Sequence, residues 1–189
     1  MKAAKRKLNP AALFIIKFLG LFAIFYGFYI IYLSLVSPGG LYSAFLNRNL
    51  NFVAWLRYVL IESSSGILQL LGYQTKTNTD QMLVVNHNII HVGYDCLGFG
   101  VMSFFAAFVI SYPARFKSKV YFLICGLAGI QAINIIRFVT LSLYWKHTNV
   151  YLTDHHTVFN IVVYILIAIS VYFYTNHQDK ATTHLNAAD

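Results

Sequence analysis

Charge is what this chain lacks most. Only 11% of its 189 residues are Asp, Glu, Lys or Arg, against about 25% in an ordinary soluble domain. With 58% hydrophobic residues, 16 Phe and 14 Tyr, that deficit argues against a solvated globular fold and for an integral membrane protein. Acids are scarcer still, six against 14 Lys and Arg. The net charge of +8 does not indicate nucleic acid, because the basic residues flank apolar blocks instead of lining a polar face. It reads as membrane topology. Cysteine is nearly absent: Cys96 and Cys125 lie in different apolar segments without C-x-x-C spacing, so neither a disulfide nor a zinc site is indicated. No small-x-small cleavage site follows the basic start "MKAAKRKLNPAALFIIKFLG". The apolar stretch there runs from Pro10 to about Val36, beyond the roughly 7–15 residues of a cleavable signal core. It reads as a retained anchor. Repeats and low-complexity tracts are missing too. The expectation is one membrane-embedded domain over 1–180 and a polar cytoplasmic tail over 181–189.

Four apolar blocks, about 11–36, 97–114, 120–145 and 156–174, are long enough to cross about 30 Å of hydrocarbon as helices. Trp145, Tyr172 and Tyr174 close the last two, as interfacial aromatics do. The fold expected is an all-α integral membrane bundle. Positive charge orients it: Lys2, Lys5, Arg6 and Lys7 keep the N-terminus cytoplasmic, as do Arg115, Lys117 and Lys119 for their loop. The segment around Cys96 and that from Trp145 to His156 then face outward. Glu62, Asp80, Asp95 and Asp154 fall on that side as well.

The middle segment, 38–95, must therefore cross the membrane twice or not at all. "NFVAWLRYVLIESSSGILQLLGY" (51–73) holds Arg57, Glu62, three serines and Gly66. It reads as an amphipathic or re-entrant outer helix, with a hairpin of two half-helices as the competing form. Beyond it, Leu83–Val85 and Ile89–Val92 flank "NHN", which predicts a small outer β-hairpin leading to Cys96.

Arg137 is the most informative single residue. It lies eight positions before Trp145, roughly 12 Å below the interface by helical rise. A charge there costs at least about 2.5–3.5 kcal/mol and marks a functional site by default. Gln131, Asn134, Arg137 and Thr140 recur at i, i+3, which suggests a polar stripe facing protein or water; the plain alternative is an Arg snorkelling to headgroups. "DHHTVFN" supplies His155 and His156 at the outer start of the last helix, with Asn160 one turn beyond His156. Histidine is readily poised for proton transfer, although two at a helix start also suit an interfacial cap, with Asp154 as N-cap. Cys96 alone reads as a small buried residue. Yet a helix N-terminus and a nearby cation both favour a thiolate, while Asp95 opposes it unless turned to Arg137 or a histidine. Cys125, without polar neighbours, reads as structural. Topology brings Cys96, Arg137 and the histidines from three helices to one membrane face. A thiol, an imidazole and a guanidinium are the parts of acyl transfer.

In its run into "YDCLGFG", its "NIIR" and its "DHHTVFN", in that order over about residues 60–175, the chain resembles the exosortase/archaeosortase family of membrane cysteine transpeptidases, in a compact bacterial form. The resemblance implies Cys96 as nucleophile, Arg137 as the cation that orients substrate or holds the transition state, and His156 or His155 as acid/base. The family often has a small residue four positions after its histidine, where Asn160 stands if His156 is the match. Asp95, Asn134 and Asn160 are the candidate substrate-binding residues. The implied substrates are envelope proteins with a C-terminal transmembrane sorting tail, cleaved at the outer face of the bacterial inner membrane through a thioester. The acyl group then passes to an amine, a hydroxyl or water, with no metal or organic cofactor required. Two other readings compete. One is a non-catalytic assembly or export partner; the other is a haem or metal protein drawing on His87, His91, His147, His155 and His156.

Overall fold

The computed structural model describes residues 9–37, 39, 41–144 and 155–186, with side chains in the last helix described over 161–178. Among these residues, six α-helices and one small sheet follow in chain order: α1 (Pro10–Val36), α2 (Ala44–Asn49), α3 (Phe52–Leu70), β1 (Thr75–Thr77), β2 (Gln81–Val84), β3 (Ile89–His91), a 3-10 turn (Tyr94–Leu97), α4 (Phe99–Ser111), α5 (Phe116–Tyr144) and α6 (His155–Asn186). Among the described residues, four stretches are long and apolar enough to cross a bilayer: Pro10–Val36, Tyr94–Ser111, Phe116–Tyr144 and Ile161–Gln178. The chain is thus a multi-pass, mostly helical membrane bundle, as its hydropathy predicts. α6 runs on past its apolar stretch to Asn186, through most of the segment expected as a tail.

Contacts divide the chain into two compact units. The first holds residues 1–50 and 99–127 and is an aromatic seam between α1 and α4. Asn9 caps α1 through Oδ1, accepting from the Ala11 amide at 3.2 Å, and Pro10 fills the first turn, where its missing N–H costs nothing. Phe14, Phe18 and Phe22 recur at i, i+4 along α1, so their rings share a face. That face meets α4 edge-on, with Phe14 5.6 Å from Phe108 and Phe18 5.2 Å from Phe104 between ring centroids. Tyr29 stacks on Phe99 at 4.5 Å, and its neighbour one turn on, Tyr32, donates its hydroxyl to the Leu50 carbonyl. Phe105, almost fully buried, points its ring at Gly126: a Cβ there would sit 2.1 Å from Cζ. Cys125, expected to lack polar neighbours, is exposed on α5 and hydrogen-bonds the Tyr121 side chain one turn earlier. The i, i+4 spacing makes that contact, which an apolar run conceals.

The second unit, residues 51–98 and 128–189, carries the sheet and the chemistry-bearing residues. α3 is one unbroken helix, not two half-helices. Asn51 caps it through a 2.9 Å bond from the Ala54 amide, and Ser64 turns its hydroxyl to the Leu60 carbonyl of its own helix at 2.7 Å. Its buried face (Val53, Leu60, Ile61, Leu68) alternates with exposed Trp55, Tyr58 and Glu62, the amphipathic pattern expected.

The sheet is antiparallel in the order β1-β2-β3. The predicted hairpin is present as β2 and β3, turning through Asn86 at φ 63°, and Met82 and Val84 on β2 are fully buried. β1, "TKT", adds a third strand. Its sequence has no apolar alternation. Its place comes from pairing with β2 and from α3, where Ser65 and Gln69 bond Thr75 at 2.7 and 2.9 Å and Thr77 donates to Glu62 at 2.8 Å. The β2–β3 turn reaches α5, with Asn88 Nδ2 donating to the Ser142 carbonyl at 3.4 Å.

Candidate active site

The sequence predicts Cys96 at the start of a helix running from residue 97, and α4 starts two residues later, at Phe99. Cys96 lies on the 3-10 turn before that helix, its amide donating to the Gly93 carbonyl at 3.1 Å. Gly98 ends the turn in the left-handed conformation, φ 76°, and α4 starts only at Phe99. The break matters for two reasons. The thirteen residues of α4 span about 20 Å, short of a hydrocarbon core of about 30 Å. With the turn, at about 2 Å per residue, the segment reaches about 27 Å, so Cys96 sits at the end of the span. Cys96 also stands three residues before Phe99, the first residue of α4, whereas a helix dipole acts within the first turn. The direct positive partner of the thiol is a side chain.

It comes from α5. Arg137 Nη2 lies 3.9 Å from Cys96 Sγ, both residues buried at 6% and 7% exposure. The partners are 41 residues apart in sequence, so the contact is tertiary and joins two of the predicted site residues. An Arg that only snorkelled to headgroups would be exposed at its tip; this one faces protein. Asn134, 3% exposed, donates from Nδ2 to the Leu97 carbonyl at 3.4 Å and to Gln131 Oε1 at 3.1 Å. Gln131 Nε2 reaches the same Leu97 carbonyl at 3.3 Å. Two amides of α5 thus hold the carbonyl at the end of the turn that carries Cys96. The approach is close enough that a Cβ on Gly98 would stand 2.8 Å from Asn134 Nδ2. Glycine is required there both by its φ and by the space.

Thr140 does not belong to the stripe. It is exposed and bonds the Ile136 carbonyl of its own helix at 2.8 Å. Steps of three residues turn a helix by about 300°, so nine residues from Gln131 place Thr140 about 180° away. Asp95 is exposed and forms neither an ion pair with Arg137 nor a cap to the turn among the described residues. His155 and His156 begin α6 as expected, but their side chains and that of Asn160 lie outside the described residues. Of the histidines a metal reading would draw on, His87 packs edge-on to Tyr73 at 5.2 Å and His91 lies 3.3 Å from Asp80; His147 is outside the described residues.

Sequence reasoning missed two supports of the turn. Gly98 stood in plain view after "DCL", and its left-handed φ is the kind of demand a glycine beside a helix start can signal. Arg57 on α3 stacks its guanidinium over the Tyr94 ring, 4.9 Å from the centroid. No local pattern foretells that contact, because the whole sheet lies between the two residues in sequence.

No curated protein and no solved structure matches the chain. The family model described as transmembrane exosortase (Exosortase_EpsH) matches residues 4–174. That span takes in α1, the sheet, the Cys96 turn and the Arg137 helix, and the chain belongs to the transmembrane exosortase family.

Proposed function

We propose that the chain is a membrane cysteine transpeptidase that cleaves the C-terminal sorting tails of envelope proteins, with Cys96 as nucleophile. The observation that carries this reading is the Arg137 guanidinium 3.9 Å from the Cys96 sulfur, both buried. A buried cation against a thiol supplies the counter-charge of a thiolate, and its remaining donors suit a developing oxyanion.

The thiolate attacks the scissile carbonyl carbon, and the negative charge moves to its oxygen beside Arg137. As the C–N bond breaks, the departing amine takes a proton from the imidazolium of His156 or, in its place, His155. An acyl thioester on Cys96 remains. An amine, hydroxyl or water, deprotonated by the same imidazole, then attacks the thioester and regenerates the thiolate. Asn134 serves by fixing the turn through Leu97; Asp95 and Asn160 meet the substrate. The reaction takes place at the outer face of the inner membrane, with the N-terminus cytoplasmic. A nucleophile at the end of a span suits a substrate whose own helix reaches it by diffusing in the bilayer.

The test is to express Cys96→Ala, Arg137→Ala and His156→Ala separately in the native host and follow tailed envelope proteins by immunoblot. Each variant is expected to accumulate full-length precursor and Cys125→Ala is not. Precursor accumulation with Cys125→Ala and normal processing with Cys96→Ala would reverse the assignment.

A further inference from the structure

The sheet has one guarded edge and one open edge. β1 is tied to α3 through the side chains of Thr75 and Thr77. β3 stands at the other edge, and among the described residues no strand pairs with its side away from β2. The ladder shows which groups it presents. Val84 N donates to Asn88 O at 3.1 Å and Val92 N to Asp80 O at 2.8 Å, and Ile90 is paired with Met82. Hydrogen-bonded positions alternate along an antiparallel strand, so Asn88, Ile90 and Val92 use their main chain toward β2. Ile89 and His91 turn theirs outward. Ile89 is also 64% exposed. Open edges are ordinarily blunted by shortness, Lys, Pro or a bulge; β3, three residues long, is short but carries neither Lys nor Pro.

The edge leads to the nucleophile. His91 is five residues before Cys96, at most about 17 Å along an extended chain, and the connecting Val92 is buried. We infer that the open edge of β3 docks an extended segment of the tailed substrate by strand addition and so delivers its scissile bond to Cys96. The inference rests on the transpeptidase reading above. Ile89 and His91 together offer four main-chain hydrogen bonds, which orient a peptide of almost any sequence, while side-chain contacts at alternate positions select among them. So short an edge suits a transient substrate; a standing interface between copies needs about 800 Å² on each partner.

Proline substitution tests it, because Pro removes only the N–H of its own residue, and at Ile89 and His91 that group is not used within the sheet. The probe is a tailed protein identified by its accumulation as precursor in the Cys96→Ala host. Ile89→Pro and His91→Pro are expected to slow its processing at least tenfold, while iodoacetamide alkylates Cys96 at a rate within twofold of the unsubstituted protein. A precursor that accumulates with Cys96→Ala yet is processed normally by both proline variants overturns the docking and leaves the transpeptidase reading standing. If no protein accumulates with Cys96→Ala, both fall. A second measurement holds whether or not the proline variants fold. In a Cys96→Ala, Cys125→Ala background, Ile89→Cys is oxidised against single cysteines placed along the probe beside its transmembrane helix. Disulfide yields that alternate with period two, at least fivefold between neighbours, support strand addition; uniform or absent yields overturn it.

Discussion

Gly98→Ala perturbs the candidate site at a single methyl group, and its effect can be worked out from two features. The first is conformation: φ 76° at Gly98 costs a residue with a Cβ about 1–2 kcal/mol. The second is space, since that Cβ would lie 2.8 Å from Asn134 Nδ2. Asn134 can yield only by leaving the Leu97 carbonyl and Gln131, and a buried hydrogen bond is worth about 0.5–1.5 kcal/mol net. Together the two give about 2–3 kcal/mol, or roughly 5–10 °C in melting temperature for a chain of this size. Because the strain falls on the turn that carries Cys96, precursor processing should drop as well. A double-mutant cycle separates the two contributions. In an Asn134→Ala background the steric partner is gone, so Gly98→Ala should cost only its conformational part, about 1 kcal/mol less than in the unsubstituted protein. The assay is thermal unfolding in detergent micelles, followed by tryptophan fluorescence, alongside processing in the native host. Strict additivity of the two substitutions, or a Gly98→Ala protein that melts and processes normally, would refute the packing of Asn134 against this turn.

Thr140→Ala, on the opposite side of α5 from Gln131, should leave melting within about 0.5 kcal/mol of the unsubstituted protein and processing unchanged. An effect equal to that of Asn134→Ala would show that the stripe extends to Thr140 after all. Gly126→Ala drives a methyl into the Phe105 ring and should destabilise by about 1–3 kcal/mol, read as a lower melting temperature. Pairing it with Phe105→Leu should recover part of that loss, and a Gly126→Ala protein of normal stability would contradict the aromatic seam.

Hydropathy made the four spans legible because a bilayer demands length and apolarity over some twenty residues, and little else satisfies it. The hairpin was legible for a related reason: β-branched runs flanking "NHN" leave few other local structures. Details that depend on three-dimensional neighbours were not. β1 is a polar tripeptide whose strand conformation is imposed by β2 and α3. The start of α4 reads as continuous through Leu97 in any apolar count, yet the left-handed Gly98 cuts it. Thr140 entered the stripe because i, i+3 spacing holds for one step and drifts off the face over three. For the candidate site, the sequence placed Cys96 and Arg137 on one membrane face, but the 3.9 Å approach depends on how α5 packs against the turn, which charge counting does not address.

The central claim is that Cys96 carries the acyl group. The direct measurement is the intact mass of the purified protein, followed by peptide mapping, after incubation with a tailed precursor that it processes. The expected result is an adduct on the peptide bearing Cys96, removed by hydroxylamine as a thioester should be, absent from Cys96→Ala and reduced in Arg137→Ala. An adduct on Cys125, or continued processing by Cys96→Ala, would contradict it.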